Sequence, residues 1–284
     1  MQQKPRLRQS RWKQWQAIRK IKALRGHQPL TGLYSPMLLH QFLDRFDSVF
    51  IKPEKKVPKH LIFLVQWVTK SHERKVIYLD ESIKPLLVLH EDQQLAFSSI
   101  RSFDFWLDLY REGEQYIIQQ AIERIEWEER PVDLQTILQI NRQGHWEITG
   151  QFARVAQKGT MVTDPKWGGK AVRIEEYLDG IGMEMREQKE IRKKLAFLSV
   201  IAAKGLAATY RNTIYALNFG LDRDKKLWLM GLNTKPDIQI LRSVDQKMFL
   251  RANSLQKKRG RKKQKNSLDE GISEQKAADK PKNK

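Results

Sequence analysis

The chain has 284 residues, of which 40% are hydrophobic, 9% aromatic and 30% charged. It is therefore long enough to bury a hydrophobic core, in one large or two small domains, and too apolar to be wholly disordered. It contains no cysteine, which excludes disulfides, thiolate metal sites and cysteine nucleophiles.

Positive charge is concentrated at the two ends of the chain. Of the net charge of +20 at pH 7, residues 1–26 contribute +9 and residues 251–284 contribute +8. Residues 27–250 therefore carry only +3, which is typical of an ordinary globular domain with basic ends and not of a domain built around a basic groove. No apolar run reaches the roughly 20 residues that a membrane span requires, and we expect a cytoplasmic protein.

A basic amphipathic helix is predicted within residues 1–26. Ser10 is a suitable N-cap. Apolar residues then recur every three positions, at Trp12, Trp15, Ile18, Ile21 and Leu24. Such a stripe beside basic residues can lie on a membrane or on RNA, but we expect it to pack against the body of the protein.

Residues 27–250 predict an α+β domain. Helices are expected after Ser35, from Ser98 or Ser99, and over 173–212 with an interruption near Gly180 and Gly182. Strands are expected at 48–53, 60–68, 75–80, 116–120, 132–140, 146–155 and in a hairpin at 214–233. Within the hairpin, we expect Trp228, Met230 and Leu232 to face the core. This order of elements indicates α+β architecture and not a regular parallel βαβ series.

The last part of the chain, residues 251–284, is expected to be a disordered basic tail. It contains nine residues, KKRGRKKQK, at 257–265 and almost no large apolar side chain, so it cannot bury enough surface to fold alone. Two interpretations remain open. The tail is either solvated, or it binds nucleic acid or another anionic polymer together with residues 1–26, in which case binding weakens steeply with salt.

Three groups of motifs follow one another in the body of the chain. The first is FIKP at 50–53. The second is YIIQQAI at 116–122, followed by RPVD at 130–133 and GQFARVA at 150–156. The third is GLD at 220–222, followed by LWLMGLNTKP at 227–236. In this order and at these separations, the motifs resemble the ATP-grasp superfamily, and within it the YheC/YheD-type endospore coat-associated proteins.

The resemblance implies two α+β halves, 27–122 and 123–250, that enclose a nucleotide cleft. It implies that Lys52 and Arg154 approach the phosphates of ATP. It also implies that adenine is bound by the backbone of a hinge made of Gln119, Gln120, Ala121 and Ile122. ATP and magnesium are the implied cofactors, and spore-coat proteins are the implied partners.

The sequence departs from the family at the loop that covers the phosphates. Where the family has a glycine-rich loop after the lysine, residues 54–60 read EKKVPKH and contain no glycine. Glycine lets backbone N–H groups approach phosphate closely, whereas Pro58 removes an N–H donor and Glu54 repels a phosphate. We therefore expect nucleotide binding to be weak or lost.

It departs again at the metal site on the last two strands. The family's two metal-binding acids correspond to Asn218 and Gly231, while its asparagine is kept as Asn233, and an arginine corresponds to Gln135. Magnesium requires charged oxygen ligands, and phosphoryl transfer depends on the charge of the metal. The magnesium site is therefore expected to be lost.

Ordinary structural roles remain open for three of these residues. Lys52 can be a solvated lysine at a strand end, Arg154 can pair with Asp133 or Glu147, and Asn233 can cap the turn into residues 234–236.

The leading hypothesis is a pseudoenzyme: a catalytically inactive ATP-grasp-like protein with a binding or structural role at the spore coat. One alternative is an active ATP- and Mg-dependent carboxylate–amine ligase that recruits Asp222, Asp224 or Asp237 as metal ligands. Another is a protein that binds anionic polymers through its basic ends.

Overall fold

The computed structural model describes residues 5–7, 10–55, 61–68, 85–90, 93–111, 113–165 and 168–257. The strand expected at 75–80, residues 56–60 of the substituted loop, and residues 258–284 lie outside these ranges.

The N-terminal segment forms helix α1 (Arg11–Arg19) and then a 3-10 turn (Lys22–His27). As predicted, Ser10 caps the helix, and its Oγ accepts a hydrogen bond from the Lys13 N–H at 3.1 Å. The expectation of one helix through residue 26 was wrong, because the tighter 3-10 turn places Leu24 in the core. Ile18 and Leu24 are buried among side chains of the second half of the molecule, so the helix packs on the body, as expected.

Six antiparallel strands form the first sheet. They are β1 (Thr31–Leu33), β2 (Ser48–Pro53), β3 (Phe63–Trp67), β4 (Leu86–His90), β5 (Gln93–Phe97) and β6 (Tyr116–Gln120), in the spatial order β1-β6-β2-β3-β4-β5. Helices α2 (Pro36–Leu43) and α3 (Ile100–Arg111) bury apolar side chains against this sheet. Ser35 caps α2, and its Oγ accepts from the Leu38 N–H at 3.2 Å.

Five antiparallel strands form the second sheet. They are β7 (Val132–Ile140), β8 (Trp146–Val155), β9 (Lys170–Arg173), β10 (Ile214–Leu221) and β11 (Leu227–Asn233), in the order β11-β10-β7-β8-β9. Helices α4 (Ile174–Gly180) and α5 (Met185–Thr209) pack against it. The predicted interruption lies between these helices, where Gly182 has a φ of +72° that glycine adopts at no steric cost.

A bulge in the final hairpin changes which side chains face the core. Asn218 pairs with Gly231, but Phe219 pairs with Leu229, so Met230 is the extra residue. Leu229 and Leu232 are buried, whereas Trp228 and Met230 are only partly buried. The expectation that Trp228, Met230 and Leu232 share the core face was therefore wrong for the first two.

The chain then forms a 3-10 turn (Ile238–Ile240), α6 (Leu241–Val244) and a further helix, α7, at 246–257. These helices cover part of the second sheet, where Ala252 and Leu255 are buried and Arg251 pairs with Glu147. The expectation of a disordered tail from residue 251 was therefore wrong for residues 251–257, because packing on the sheet orders them. None of the helices in the described ranges is long and apolar enough to cross a membrane.

Candidate functional site

A cleft between the two sheets collects the residues that the sequence singled out. Its inner cavity, of about 280 Å³, is lined by Lys52 and Gln119 from the first sheet. From the second sheet it is lined by Arg154, Asn218, Gly231 and Asn233. An outer cavity of about 770 Å³ is lined by the rest of the expected hinge, Gln120, Ala121 and Ile122.

The two cavities are adjoining parts of one cleft, because Phe50, Arg124 and Met161 line both. The outer cavity has mixed walls. Apolar side chains, namely Phe50, Leu64, Ile122, Pro131 and Met161, line it together with charged ones, namely Arg45, Asp47, Glu123, Arg124, Glu126 and Arg223. A planar ring with polar edges suits such a lining.

The hinge backbone is only partly used by the fold. The Gln120 N–H donates to the Leu30 carbonyl at 2.9 Å, and the Ala121 N–H donates to the Ser48 carbonyl at 3.2 Å. Within the described ranges, the N–H groups of Ile122 and Glu123 have no hydrogen-bond partner. Backbone donors are therefore available along the outer cavity.

Lys52 ends in the cleft and not in bulk solvent. Its Nζ donates to the Gln119 Oε1 at 2.9 Å and lies 4.5 Å from the centre of the Phe50 ring. Gln119 is held in turn by the Thr31 hydroxyl, which accepts from its Nε2 at 3.0 Å. Burial, reinforced by the positive charges of Arg11 and Arg124, lowers the pKa of Lys52 to about 7.

Asp133 holds two arginines in the wall of the cleft. Its Oδ1 accepts from Arg124, and its Oδ2 accepts from Arg154 at 3.1 Å and from the Thr163 hydroxyl at 2.6 Å. Burial alone would raise the pKa of the Asp133 carboxyl. The net effect is a lowered pKa, because the charges of Arg124 and Arg154 and the hydrogen bond from Thr163 outweigh burial. Arg154 was expected to pair with either Asp133 or Glu147, and in the structure it pairs with Asp133.

Arg154 is almost fully buried in the wall of the inner cavity. The residue is 9% exposed, and its Nε is buried without a partner in the described part of the chain. An unsatisfied donor on a buried guanidinium is costly. The residue lines the inner cavity, where its positive charge favours an anion.

The three residues that the sequence analysis places at departures from the family's metal site lie side by side in one row across the sheet. Gln135 on β7 pairs with Asn218 on β10, which pairs with Gly231 on β11. The Gln135 Nε2 donates to the Asn218 Oδ1 at 2.6 Å. A Cβ atom added at Gly231 would meet no atom within 4 Å, so a larger side chain at this position would enter open space. We call Gln135, Asn218 and Gly231 the neutral row.

Asn233 lines the cavity and also caps the following turn. Its Oδ1 accepts from the Lys235 N–H at 3.0 Å, which is the structural role left open for it.

The residues at the neutral row do not fit a magnesium ion. The ion prefers charged oxygen ligands, whereas the row offers two amides that bond each other and a glycine. Over the ranges that the structure describes, no cluster of three or more His, Asp or Glu side chains could hold a metal. The inner cavity contains the acids Asp133 and Asp164, and Asp133 is committed to its two arginines.

The acids proposed as substitute metal ligands are used elsewhere. Asp222 accepts from the Lys226 N–H at 2.8 Å and from the Trp228 indole N–H at 2.7 Å. Asp237 caps a 3-10 turn by accepting from the Gln239 N–H at 2.9 Å. Asp224 is exposed in the hairpin turn, and none of the three lines either cavity.

Arg11, the first residue of α1, is a cleft residue that sequence reasoning missed. It lines the inner cavity, and its Nη1 donates to the carbonyls of Pro53 and Lys55, the latter at 2.7 Å. Burial lowers the pKa of Arg11 to about 10, against the opposing effect of Glu54. The apolar stripe predicted that the helix docks, but nothing in the sequence indicated that its first basic residue enters the cleft.

Comparison with known proteins identifies the family. The YheC/D-like ATP-grasp family matches residues 5–257, and the chain belongs to that family. The endospore coat-associated protein YheD of Bacillus subtilis (strain 168) is 26% identical over 158 residues, which cover 53% of this chain and 34% of YheD. YheC of the same organism, also named endospore coat-associated, is 21% identical over 200 residues, or 70% of this chain and 51% of YheC.

The matched segments thus span about a third and a half of those two relatives. Among solved structures, the D-alanine-D-alanine ligase from Coxiella burnetii is 10% identical with a TM-score of 0.46, and the match covers 93% of this chain and 61% of the ligase. This likeness is too loose to bear on function. The family and the two antiparallel sheets together define an α+β, ATP-grasp-like fold.

Proposed function

We propose that this chain is a pseudoenzyme of the ATP-grasp family that binds a nucleotide without magnesium-dependent ligase chemistry and serves a binding or structural role at the spore coat. The observation that carries the proposal is the neutral row. Three family positions that differ in this chain lie next to one another across three strands, so one local site has changed and not three unrelated positions.

Nucleotide binding is supported by the chemistry of the two cavities. The outer cavity combines apolar side chains such as Phe50 and Leu64 with polar groups and with backbone N–H groups of the hinge, which suit an adenine ring. The inner cavity has Lys52 and Arg154, which suit phosphate groups. This expectation is stronger than the one from the sequence, which emphasised the loss of the glycine-rich loop.

Loss of catalysis follows from the requirements of phosphoryl transfer. The transferred group spreads negative charge over its oxygens, and metal ions normally neutralise that charge and hold the reacting groups in line. Lysines and arginines neutralise charge, but they do not hold the oxygens of two neighbouring phosphates at one coordination centre as a metal does. With amides and a glycine at the neutral row, the cleft retains binding groups without the metal.

The structural role rests on the relatives. YheD and YheC are both named endospore coat-associated proteins, and a chain that binds nucleotide without turning it over suits an assembly component. The proposed partners are therefore proteins of the spore coat.

Calorimetric titration with ATP, combined with an assay of phosphate release in the presence of magnesium, tests the proposal. We expect saturable binding and no phosphate release above the background of the Lys52→Met variant. Lys52→Met should abolish binding, whereas Lys55→Met is a matched control because Lys55 is exposed and pairs with Glu114. Magnesium-dependent phosphate release, or formation of an amide from a carboxylate and an amine, contradicts the proposal.

A second candidate function is binding of an anionic polymer such as RNA. The observation that favours it is a set of exposed basic residues on α1 and the 3-10 turn after it, namely Lys13, Arg19, Lys20, Lys22 and Arg25. Together with the basic run at 257–265, they supply enough charge to neutralise several phosphates. Deletion of residues 258–284 should weaken binding to a single-stranded RNA and reduce its salt dependence. Unchanged binding excludes this function for the tail.

A further inference from the structure

We propose that the cleft binds its nucleotide as the metal-free polyphosphate anion, and that Arg11 of the N-terminal helix binds the phosphates in place of the missing glycine-rich loop. This inference rests on the nucleotide site proposed above. It adds the ionic form of the ligand and a binding residue outside the motifs of the family.

The balance of charge in the inner cavity favours an anion without a metal. Four basic side chains line it, namely Arg11, Lys52, Arg124 and Arg154, together with the two acids Asp133 and Asp164. Both oxygens of Asp133 already accept hydrogen bonds from arginines, so this acid is not available to a metal ion. A polyphosphate offsets the excess positive charge, whereas a divalent cation adds to it.

Arg11 lies where the family's phosphate loop begins. Its guanidinium donates to the carbonyls of Pro53 and Lys55. Pro53 is the last residue of β2, and Lys55 follows it by two positions. In the described part of the chain both of these bonds use Nη1, so Nη2 and Nε remain for a ligand. A guanidinium matches phosphate geometry with two parallel donors, and it can thus replace the backbone N–H groups of a glycine-rich loop.

The helix that carries Arg11 is fastened to both halves of the molecule. On the side of the first sheet, the Ser10 hydroxyl donates to the Glu54 carboxylate, and the Arg11 N–H donates to the Glu54 carbonyl at 2.9 Å. On the other side, Ile18 is buried in the core of the second half. Glu54, which the sequence analysis expected to repel phosphate, instead contacts the N-terminus of α1. The guanidinium is therefore preorganised at the cleft.

Lys52 provides a readout of the ionic form of the ligand. Burial, together with the positive charges of Arg11 and Arg124, lowers the pKa of Lys52. An anion beside it favours its protonated form. Metal-free nucleotide should therefore be bound with uptake of a proton near neutral pH, measurable as a dependence of the binding enthalpy on the ionisation enthalpy of the buffer.

The test is calorimetric titration of the full chain with ADP, once with EDTA and once with excess magnesium chloride. We expect ADP to bind more tightly with EDTA, since magnesium removes negative charge from the nucleotide. Arg11→Gln should weaken binding about tenfold, the size expected for loss of a charge-assisted hydrogen bond. Arg11→Lys keeps the charge but loses the two parallel donors, so it should weaken binding by a smaller factor than Arg11→Gln, about threefold. Lys189→Gln, an exposed change on α5 outside both cavities, should leave the affinity unaltered.

Each other outcome overturns a defined part of the inference. Binding that requires magnesium refutes the metal-free form and leaves the nucleotide site standing. Equal losses in Arg11→Gln and Arg11→Lys show that Arg11 only fastens the backbone, and unchanged affinity in Arg11→Gln shows that it does not contact the ligand. If ADP binds under neither condition, the proposed nucleotide function itself fails, and this inference fails with it.

Discussion

Among single residues, Asp133 fixes the positions of Arg124 and Arg154 in the wall of the cleft. It is 14% exposed and accepts hydrogen bonds from two arginines and a threonine. Removal of one partner from a buried ion pair is strongly destabilising because the remaining charges lose their compensation.

The Asp133→Asn variant should therefore lower the free energy of unfolding by about 3–5 kcal/mol. Urea denaturation followed by circular dichroism measures the change. Asp224→Asn is the matched control, because Asp224 is exposed in the hairpin turn, and its effect should stay within about 0.5 kcal/mol. Equal effects of the two substitutions would contradict the central position assigned to Asp133.

The stabilisation by Asp133 should also depend on pH with a defined sign. Its pKa is lowered in the folded protein, so its contribution is complete above the unfolded value of about 3.9 and is lost as the pH falls through the folded value. The difference in unfolding free energy between the natural chain and Asp133→Asn should thus be constant from neutral pH to about pH 4 and shrink below it. A difference that persists unchanged at pH 2 is the contrary result.

The neutral row makes a prediction about the restoration of metal binding. The double variant Asn218→Asp with Gly231→Glu should bind Mn²⁺ in the presence of ADP, because it supplies two carboxylates and the space beside Gly231 is open. Electron paramagnetic resonance of free Mn²⁺ measures this binding. Asn218→Asp with Gly231→Gln is the control, since the glutamine has the same size without charge. Equal Mn²⁺ binding by the natural chain would refute the account of the row.

At the scale of elements, regular strands were predictable and short ones were not. The four strands expected at 48–53, 116–120, 132–140 and 146–155 have those bounds in the structure, because their runs of apolar residues are long enough to define them. β1 has three residues and β9 has four, too few for a periodicity to be recognised. Their pairing with β6 and β8 is decided by tertiary contacts.

Two further strands were missed for different reasons. β4 reads LLVLH and is almost wholly buried, and a short continuous apolar run is compatible with a strand or a buried helix. β5 reads QQLAF and lies at the sheet edge with its first residues exposed. The bulge at Met230 was equally hidden, because only the register of the partner strand reveals an extra residue.

Helix α7 predicts where the chain can be shortened. A chain that ends at residue 257 should unfold at the same urea concentration as the full chain. A chain that ends at 250 loses the buried Ala252 and Leu255 and the contact between Arg251 and Glu147. Removal of one buried leucine side chain typically costs about 2–5 kcal/mol, so we expect a clearly lower unfolding midpoint. Equal midpoints for the two shortened chains would show that residues 251–257 do not contribute to the core.

At the scale of the whole molecule, the candidate site could be predicted only through the family resemblance. Spacing alone does not show that Lys52 on β2 and Asn218 on β10 face the same cavity. The ordered motifs supplied that expectation, and the structure places the cited side chains around one cleft. The contacts of Asp133 and the adjacency of the neutral row could not be foreseen, because they depend on the register of three strands.

Arg11 is the clearest case of a site residue that becomes visible only in the assembled molecule. It is far in sequence from every motif, and it reaches the cleft because α1 packs against one half and hydrogen-bonds to the other. Because of this packing, Arg11 is only partly exposed and does not belong to the exposed basic residues of the N-terminal segment. The two basic ends of the chain therefore differ in the described residues: Arg11 of the first lines the cleft, whereas residues 251–257 of the second belong to α7.

We propose that the cleft holds a nucleotide but no divalent ion at the neutral row. A crystal structure of the chain grown with ADP and Mn²⁺, with anomalous diffraction recorded at the manganese edge, distinguishes the two cases. We expect ADP density along the hinge, phosphate oxygens near Arg11 and Lys52, and no anomalous peak beside Gly231. An anomalous peak that joins phosphate oxygens to Asn218 or Asn233 would contradict this proposal.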